Sequence, residues 1–291
     1  MSILPNLLPL IYLAAHSVLT AGSRRLGSRR KRRILAVDAA LTAGMAILLA
    51  WFASFESAPR GWRGILLLWS PLIFFWGAYL WNRPILEAVH PESRTVDPWL
   101  MRLDGRLFGQ PSLWLARRGG PWTTEVLHAF YAGYYLYTPV LGVWLHTTRT
   151  AAEFQAMAFA VCLGYLISYL LFILVPARGP RWHLVETGLV PASEQRRPGF
   201  AATRFVHRLM YDGPALKGGA MPSSHSSTAV VFLVWNWRLG GPEAGAVAAV
   251  LVVGMWLGSI HGRYHWVGDV VAGALLGLAA VLVGDHLILA R

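Results

Sequence analysis

Long apolar runs separated by short polar stretches follow one another along the whole chain. A helix that crosses a bilayer needs about 20 mostly apolar residues. Eight segments approach that requirement: 4–21, 34–54, 64–81, 124–146, 153–175, 224–239, 244–260 and 266–289. The pattern therefore predicts an all-α integral membrane protein with about eight transmembrane helices.

The composition supports a membrane protein and argues against a nucleic-acid partner. Hydrophobic residues make up 55% of the chain and charged residues only 14%, whereas soluble domains have roughly 25% charged residues. The formal net charge of +12 could indicate nucleic-acid binding in a soluble protein. In a chain this apolar, arginine-rich loops beside a bilayer are the better interpretation. We therefore expect a protein that is integral in the bilayer, with no nucleic acid as partner.

The polar loops divide unequally between the two sides of the membrane. With eight spans, one side holds the loops 22–33, 82–123, 176–223 and 261–265, which together contain 21 of the 26 Lys and Arg residues. The positive-inside rule predicts that this side is cytoplasmic in a multi-pass protein of the cell's inner membrane. The mixture of Trp, Leu and Arg in 82–123 further predicts a helix on the membrane surface.

Two groups of polar residues on that side are suited to binding an anion. Arg178 and Arg181 follow a predicted span, among prolines and a glycine that fix the backbone, and arginine offers a fork of donors matched to phosphate oxygens. In "PSSH", residues 222–225, Ser223 and Ser224 stand at a helix start, where free backbone N–H groups attract anions. His225 would project beside the bound anion.

A third group interrupts the apolar sequence in "SIHGRYHWVGDVVAG", residues 259–273. His265 and Asp269 are four residues apart and share one helix face. A carboxylate that accepts a hydrogen bond from one imidazole nitrogen leaves the other nitrogen free to attack. Arg263 adds a further cation, and an ionisable residue in a membrane segment indicates function.

Together these groups predict phosphoryl transfer through a histidine. His265 would attack phosphorus and form a phosphohistidine, with Asp269 orienting its ring and His225 as general acid and base. The phosphate-binding groups would be Arg178, Arg181, Arg263, Ser223, Ser224 and Lys217. We expect no metal and no other cofactor, because the arginines supply the positive charge.

At these residues the chain resembles the type 2 phosphatidic acid phosphatase superfamily of membrane lipid phosphatases. "PSSH" is similar to the family's Pro-Ser-Gly-His motif, and "HWVGD", residues 265–269, matches its His-x3-Asp motif. The resemblance implies a six-helix catalytic bundle over residues 61–291, two additional N-terminal spans within 1–60, and a membrane lipid phosphate as substrate. It also implies the roles given above to His225, His265 and Asp269. Bacterial phosphatases of this family mostly face the periplasm, opposite to the side that the arginine count predicts.

The sequence leaves other functions open. "GRYHWVGD" and "LDGRLFGQP" look more like the branch that contains inositol phosphorylceramide synthases, in which an alcohol replaces water as acceptor. His261, His265 and Asp269 have a spacing that could hold a metal, with His261 otherwise a bystander. A transporter or scaffold with no chemistry is a further alternative. The lipid, the acceptor and the oligomeric state stay open.

Overall fold

A computed structural model of the chain describes residues 2–55, 61–89, 95–213 and 215–290. These residues form twelve α-helices: α1 Leu4–Gly22, α2 Ser28–Ala53, α3 Trp62–Trp81, α4 Arg83–Val89, α5 Asp97–Phe108, α6 Pro111–Arg117, α7 Pro121–Thr148, α8 Ala151–Leu174, α9 Pro180–Glu186, α10 Ala201–His207, α11 Ser224–His261 and α12 Val267–Gly284. Within the described ranges the β-structure is one isolated bridge, between Ala177 and Gly219. The all-α fold is thus confirmed.

All eight predicted spans are helical, but within the described residues six helices are long and apolar enough to cross a membrane. They are Leu4–Gly22, Ser28–Ala53, Trp62–Ala88, Ala151–Leu174, Ser224–His261 and Val267–Leu289. One difference is α7, whose tyrosines, threonines and histidines lower its hydropathy. The other is α11, which contains two predicted spans and has a non-helical break at Gly241, followed by Pro242. A proline removes a helical hydrogen bond, so the break gives two consecutive helical segments.

The centre of the bundle is α8. In the most apolar stretch of α8, 72% of the residues are buried, whereas in the most apolar stretch of α2 only 11% are buried. The helices α1, α3, α7, α11 and α12 all contact α8. Close contacts form where a glycine meets a neighbouring helix, as Gly164 of α8 does at Ser227 of α11. Since α2 packs mainly on α1, most of its surface faces outward from the bundle.

The two N-terminal helices carry a buried polar cluster. The Asp38 carboxylate lies 2.9 Å from His16 Nδ1 and accepts hydrogen bonds from Ser17 Oγ at 3.0 Å and Trp81 Nε1 at 2.8 Å. His16 and Asp38 are both fully buried. Because the cluster joins α1, α2 and α3, it fastens the N-terminal pair to the rest of the bundle. The predicted domain boundary at residues 60–61 adjoins residues 56–60, which lie outside the described part of the chain, and it stays a prediction.

One end of the bundle is covered by short helices. The helices α5 and α6 lie there, together with α9, α10 and the connecting residues 187–200, 208–213 and 215–223. That residues 82–123 contain a helix on the membrane surface stays a prediction. Three tryptophans in this region are 40% to 72% exposed: Trp99, Trp114 and Trp122. Amphipathic aromatic rings are typical of a membrane–water interface. This layer is held to the bundle by carboxylates, among them Glu125 of α7, which accepts from the amides of Phe200, Ala202 and Thr203.

Candidate active site

Two histidines face each other where α11 begins and where the chain turns into α12. His225 belongs to the first turn of α11, and His265 lies between α11 and α12. The Nε2 atom of His265 is 3.4 Å from Nδ1 of His225. The starts of the two helices are tied together because the Ser223 amide donates to the Asp269 carbonyl at 3.0 Å. The fold thus brings together two histidines that are 40 residues apart.

The ring of His265 is oriented by two acceptors. Its Nδ1 lies 3.1 Å from the carbonyl oxygen of Ala220 and 3.5 Å from Asp269 Oδ2. The same Asp269 oxygen accepts from the Trp266 amide at 2.9 Å, so it also caps α12. Two acceptors on one side of the ring favour the tautomer with the proton on Nδ1. The Nε2 atom that faces His225 then has a free lone pair.

The charge state of His265 follows from its surroundings. Burial, and after it the nearby His225 and Arg181, lower the pKa of His265 well below its ordinary value of 6.5, because a second positive charge is costly there. A neutral imidazole with a free Nε2 can act as a nucleophile.

Arg181 is a buried cation near the two histidines. Its side chain is 6% exposed, and its Nη1 is 3.0 Å from the sulfur of Met210, a weak acceptor. Its Nε has no hydrogen-bond partner among the described residues, and no described carboxylate forms an ion pair with it. Rings of Trp182, Tyr211 and Tyr264 surround its guanidinium at 5.6 to 5.9 Å. A buried cation without a carboxylate partner is suited to binding an anion.

Arg178 is held differently, although it is also 6% exposed. Its guanidinium pairs with Glu186 at the end of α9. Its backbone amide donates to Asp97 Oδ2 at 2.8 Å, and the next amide, that of Gly179, donates to Asp97 Oδ1 at 2.9 Å. A phosphate bound by Arg178 would therefore share this guanidinium with Glu186.

The guanidinium of Arg263 forms no described contact with the two histidines. Its Nε donates to the Ser112 carbonyl at 3.2 Å and its Nη1 to the Glu194 carbonyl at 2.9 Å. The residue has a φ of 60°, in the left-handed region, and its own carbonyl accepts from the Arg181 amide at 2.7 Å. The main chain of Arg263 thus supports Arg181, while its side chain fastens two loops. That Arg263 holds the reacting phosphate stays a prediction.

The remaining predicted anion-binding groups are Ser223 and Ser224 at the start of α11, and Lys217 in the loop before it. Ser223 caps α11 by accepting from the Ser226 amide at 3.2 Å. Ser224 follows it, and first-turn amides such as its own have no partner within the helix. Lys217 is exposed, with its Nζ 4.2 Å from the centre of the Trp182 ring, next to Arg181. The helix start thus faces the site directly, whereas Lys217 stands at its rim.

The proposed metal ligands do not assemble. His261 is fully buried, with Nε2 3.2 Å from Thr124 Oγ1 and Nδ1 3.2 Å from the Leu115 carbonyl. Both ring nitrogens are therefore engaged away from His265. Over the described ranges no three His, Cys, Asp or Glu side chains are grouped as metal ligands would be.

Two carboxylates, Asp97 and Asp104, support the site although the sequence did not predict this role for them. Asp97 accepts from the Trp266 indole at 2.9 Å as well as from the two amides described above, so it joins the arginine loop to the histidine loop. Asp104 accepts from the amides of Val267 and Gly268 at the start of α12. The Asp-Pro pair at the start of α5 signals a helix start, but no local pattern indicates a partner some 80 residues away.

An apolar cavity opens beside His225. Its volume is about 460 Å³. Its walls come mainly from α3, α7, α8 and the connection between α10 and α11: Trp76, Tyr79, Leu80, Tyr134, Tyr135, Thr138, Tyr165, Tyr169, Phe205, Leu209, Met210 and Ala215, with Ser224 and His225 at one end. Residues 131–139, "YAGYYLYTP", contribute Tyr134, Tyr135 and Thr138 to this wall. Such a cavity can take an apolar chain whose polar end meets the histidines.

Comparison with known proteins identifies the family. A family model described as PAP2 superfamily matches residues 98–283, well over half of the chain and including every predicted site residue. No curated protein and no solved structure shows significant similarity to the chain. The matched region contains the histidine pair, Arg178 and Arg181, whereas α1 and α2 lie before it. The chain is a multi-pass membrane protein that belongs to the PAP2 superfamily.

Proposed function

We propose that this protein hydrolyses a lipid phosphate monoester or diphosphate through a phosphohistidine intermediate, without a metal. The proposal rests above all on one observation: His265 Nε2 lies 3.4 Å from His225 Nδ1, near Arg181, which forms no ion pair with a described carboxylate. Family membership supports lipid phosphate chemistry in general. That water is the acceptor, and that the phosphate is carried by a lipid monoester or diphosphate, are parts of the proposal.

In the first step, Nε2 of His265 attacks phosphorus and a nitrogen–phosphorus bond forms. The bond from phosphorus to the lipid oxygen breaks, and His225 gives its proton to the departing alkoxide or phosphate. In the second step a water oxygen attacks phosphorus, the nitrogen–phosphorus bond breaks, and His225 takes the proton from that water. Because the two ring nitrogens are only 3.4 Å apart, both steps require the rings to move apart so that the phosphate can lie between them.

Positive groups would stabilise the charge that develops on the phosphoryl oxygens. Arg181 offers donors without a competing carboxylate, and the first-turn amides at Ser223 and Ser224 add the dipole of α11. Arg178 would contribute while paired with Glu186. We assign Lys217 a peripheral role in attracting the anionic headgroup, because it lies at the rim.

The substrate's apolar part would lie in the cavity beside His225. Its walls are aromatic and aliphatic, and burying an apolar chain there gains roughly 25 cal/mol per Å². A lipid phosphate has the matching shape, an anionic head and an apolar tail. A water-soluble sugar phosphate would leave the cavity empty, so we expect it to be a poor substrate.

The decisive experiment incubates purified protein with a panel of lipid phosphates, with and without inositol, and assays both free phosphate and new phosphodiesters. Free phosphate as the main product supports hydrolysis, whereas a phosphodiester as the main product identifies a phosphotransferase of the inositol phosphorylceramide synthase type and contradicts the proposal. We expect His265→Ala to reduce phosphate release to background while the protein stays folded. Unchanged release in this variant would leave a transporter or scaffold as the better interpretation.

A chelator distinguishes the remaining alternative. We expect activity to be unaffected by EDTA, since the proposed steps draw their positive charge from arginines. Loss of activity in EDTA that a divalent metal restores would contradict the metal-independent mechanism.

A further inference from the structure

A second group of cations lies around Arg263, whose guanidinium forms no described contact with the two histidines. Arg263 is 2% exposed, and its Nη2 has no hydrogen-bond partner among the described residues. The same holds for Nε of Arg197 and for Oγ of Ser112, whose carbonyl accepts from Arg263. A buried donor without a partner is costly. Three unpartnered polar atoms on neighbouring segments therefore provide groups with which a ligand could bind.

The charge of this group is not balanced. The side chains of Arg117, Arg197 and Arg263 form no ion pair with any carboxylate of the described residues. Burial and then the positive charge of Arg197 lower the pKa of Arg263, with a smaller contribution from Arg117. Glu194 is the carboxylate that acts against this effect, and it compensates only one of three positive charges. The ligand that suits the group is therefore an anion.

The surroundings indicate where that anion comes from. Ser112 and Arg117 belong to α6, whose Trp114 is 40% exposed. Near Arg197 along the chain, Phe200 packs against the 72% exposed Trp122 with ring centres 4.6 Å apart. Exposed aromatic rings mark the depth of the lipid headgroups. An anion bound at this level would be the phosphate of a lipid rather than a solute drawn from bulk water.

We propose that Arg263, Arg197, Arg117 and Ser112 form a second site, distinct from the histidine pair, that binds the phosphate of an anionic phospholipid headgroup. Arg263 connects this site to the first, because its carbonyl accepts the Arg181 amide at 2.7 Å. The second site needs no chemistry, so it does not depend on the proposed hydrolysis. Its occupant would be a lipid that stays bound.

Binding can be measured without catalysis, by titrating purified protein in detergent with phosphatidylglycerol and counting bound lipids by native mass spectrometry. We expect the wild type and the His265→Ala variant to bind one phosphatidylglycerol tightly and phosphatidylcholine, which has no net charge, much more weakly. We expect Arg197→Gln to weaken phosphatidylglycerol binding about tenfold, the effect of losing one charge-assisted hydrogen bond. Arg117→Gln should act in the same direction.

Arg118→Gln is the matched control. Arg118 is adjacent to Arg117 and exposed, but its guanidinium lies over the Trp114 ring at 5.1 Å. We expect less than a twofold effect from this variant. An equal loss in Arg118→Gln and Arg197→Gln would mean general attraction between positive charge and an anionic lipid, and would overturn the site.

Inorganic phosphate separates the two sources of the anion. If millimolar phosphate displaces phosphatidylglycerol from the wild type, the site binds free phosphate as well as a lipid, and the assignment to a lipid headgroup is overturned. No displacement supports it. Failure of the hydrolysis proposal is recognised separately. In that case His265→Ala would leave phosphate release unchanged, and the binding of phosphatidylglycerol would also be unchanged.

Discussion

His265 is the residue whose surroundings say most about its chemistry. Its Nδ1 faces the Ala220 carbonyl and Asp269, while its Nε2 faces His225. The sequence predicted Asp269 as the orienting group, and the structure adds a closer acceptor from the main chain. The nucleophile therefore depends on the path of the 217–222 loop as well as on the carboxylate.

The pH dependence of the reaction should reflect this burial. The pKa of His265 is lowered below 6.5, so the ring stays neutral and nucleophilic as the pH falls through 6.5 and is protonated only at lower pH. The acid limb of kcat/KM, which reports the free enzyme, should therefore lie below pH 6.5. Arg181→Gln removes one of the charges that lower this pKa and should move the limb to higher pH. A wild-type limb at or above pH 6.5 would contradict the assignment.

Among the carboxylates around the site, we expect Asp97 to contribute most to the free energy of unfolding. Asp97→Ala would leave two buried amides and the Trp266 indole without an acceptor. Each such loss costs roughly 1–3 kcal/mol, so we expect the free energy of unfolding to fall by at least about 2 kcal/mol.

The matched control for Asp97 is Asp285→Ala, measured in the same thermal or denaturant unfolding experiment in detergent. Asp285 pairs with Arg238 at a partly exposed position, where an ion pair contributes less than about 1 kcal/mol. Similar losses in the two variants would show that Asp97 is not a special support of the site.

The close approach of α11 and α12 positions the histidine loop. A Cβ added at Gly273 of α12 would meet the Ser223 carbonyl, and one added at Gly277 would meet the Ser227 carbonyl. Both contacts are with backbone, which cannot move aside as a side chain can. The small residues of α12 therefore set how near the start of α11, with Ser223 and His225, lies to His265.

Gly273→Ala should consequently disturb catalysis by separating the two helix starts. We expect at least a tenfold fall in kcat, since small displacements of reacting groups have large effects on rate. Gly133→Ala on α7 is the control, because nothing lies within 4 Å of a Cβ built there. Equal activities of the two variants, measured by phosphate release, would contradict this role for Gly273.

The whole molecule is polarised along the membrane normal. The histidine pair, the short helices and the basic loops occupy one end, while the opposite end holds Arg149 beside the Leu239 carbonyl and the Arg238–Asp285 pair. The arginine distribution predicts that the histidine end is cytoplasmic, whereas the resemblance noted from the motifs favours the periplasm.

Accessibility of single cysteines can test the orientation. The single native cysteine, Cys162, is buried, so it should give little background with a membrane-impermeant thiol reagent. We expect Arg149→Cys to react in cells whose outer membrane is permeabilised and Arg118→Cys to react only after the inner membrane is opened. The reverse pattern would place the histidine end in the periplasm.

Much of the fold and half of the site could be predicted from the sequence. The apolar runs predicted the helices because burial from water depends on local composition, and the "PSSH" and "HWVGD" motifs placed His225, His265 and Asp269 at helix starts. The number of spanning helices differed because α11 contains two predicted spans, joined at the break at Gly241 and Pro242, and because α7 is rich in tyrosine, threonine and histidine.

The sequence alone determined that this is a helical membrane protein with its unusual polar residues at one end. It also determined the spacing that puts His265 and Asp269 on one helix start, because both properties depend on neighbours along the chain. Only the tertiary structure decided that the charge of Arg181 acts on His265, whereas the guanidinium of Arg263 donates to the Ser112 and Glu194 carbonyls. Only it brought Asp97 and the Ala220 carbonyl to the site. The direction of a loop side chain is set by partners tens of residues distant, which no local pattern records.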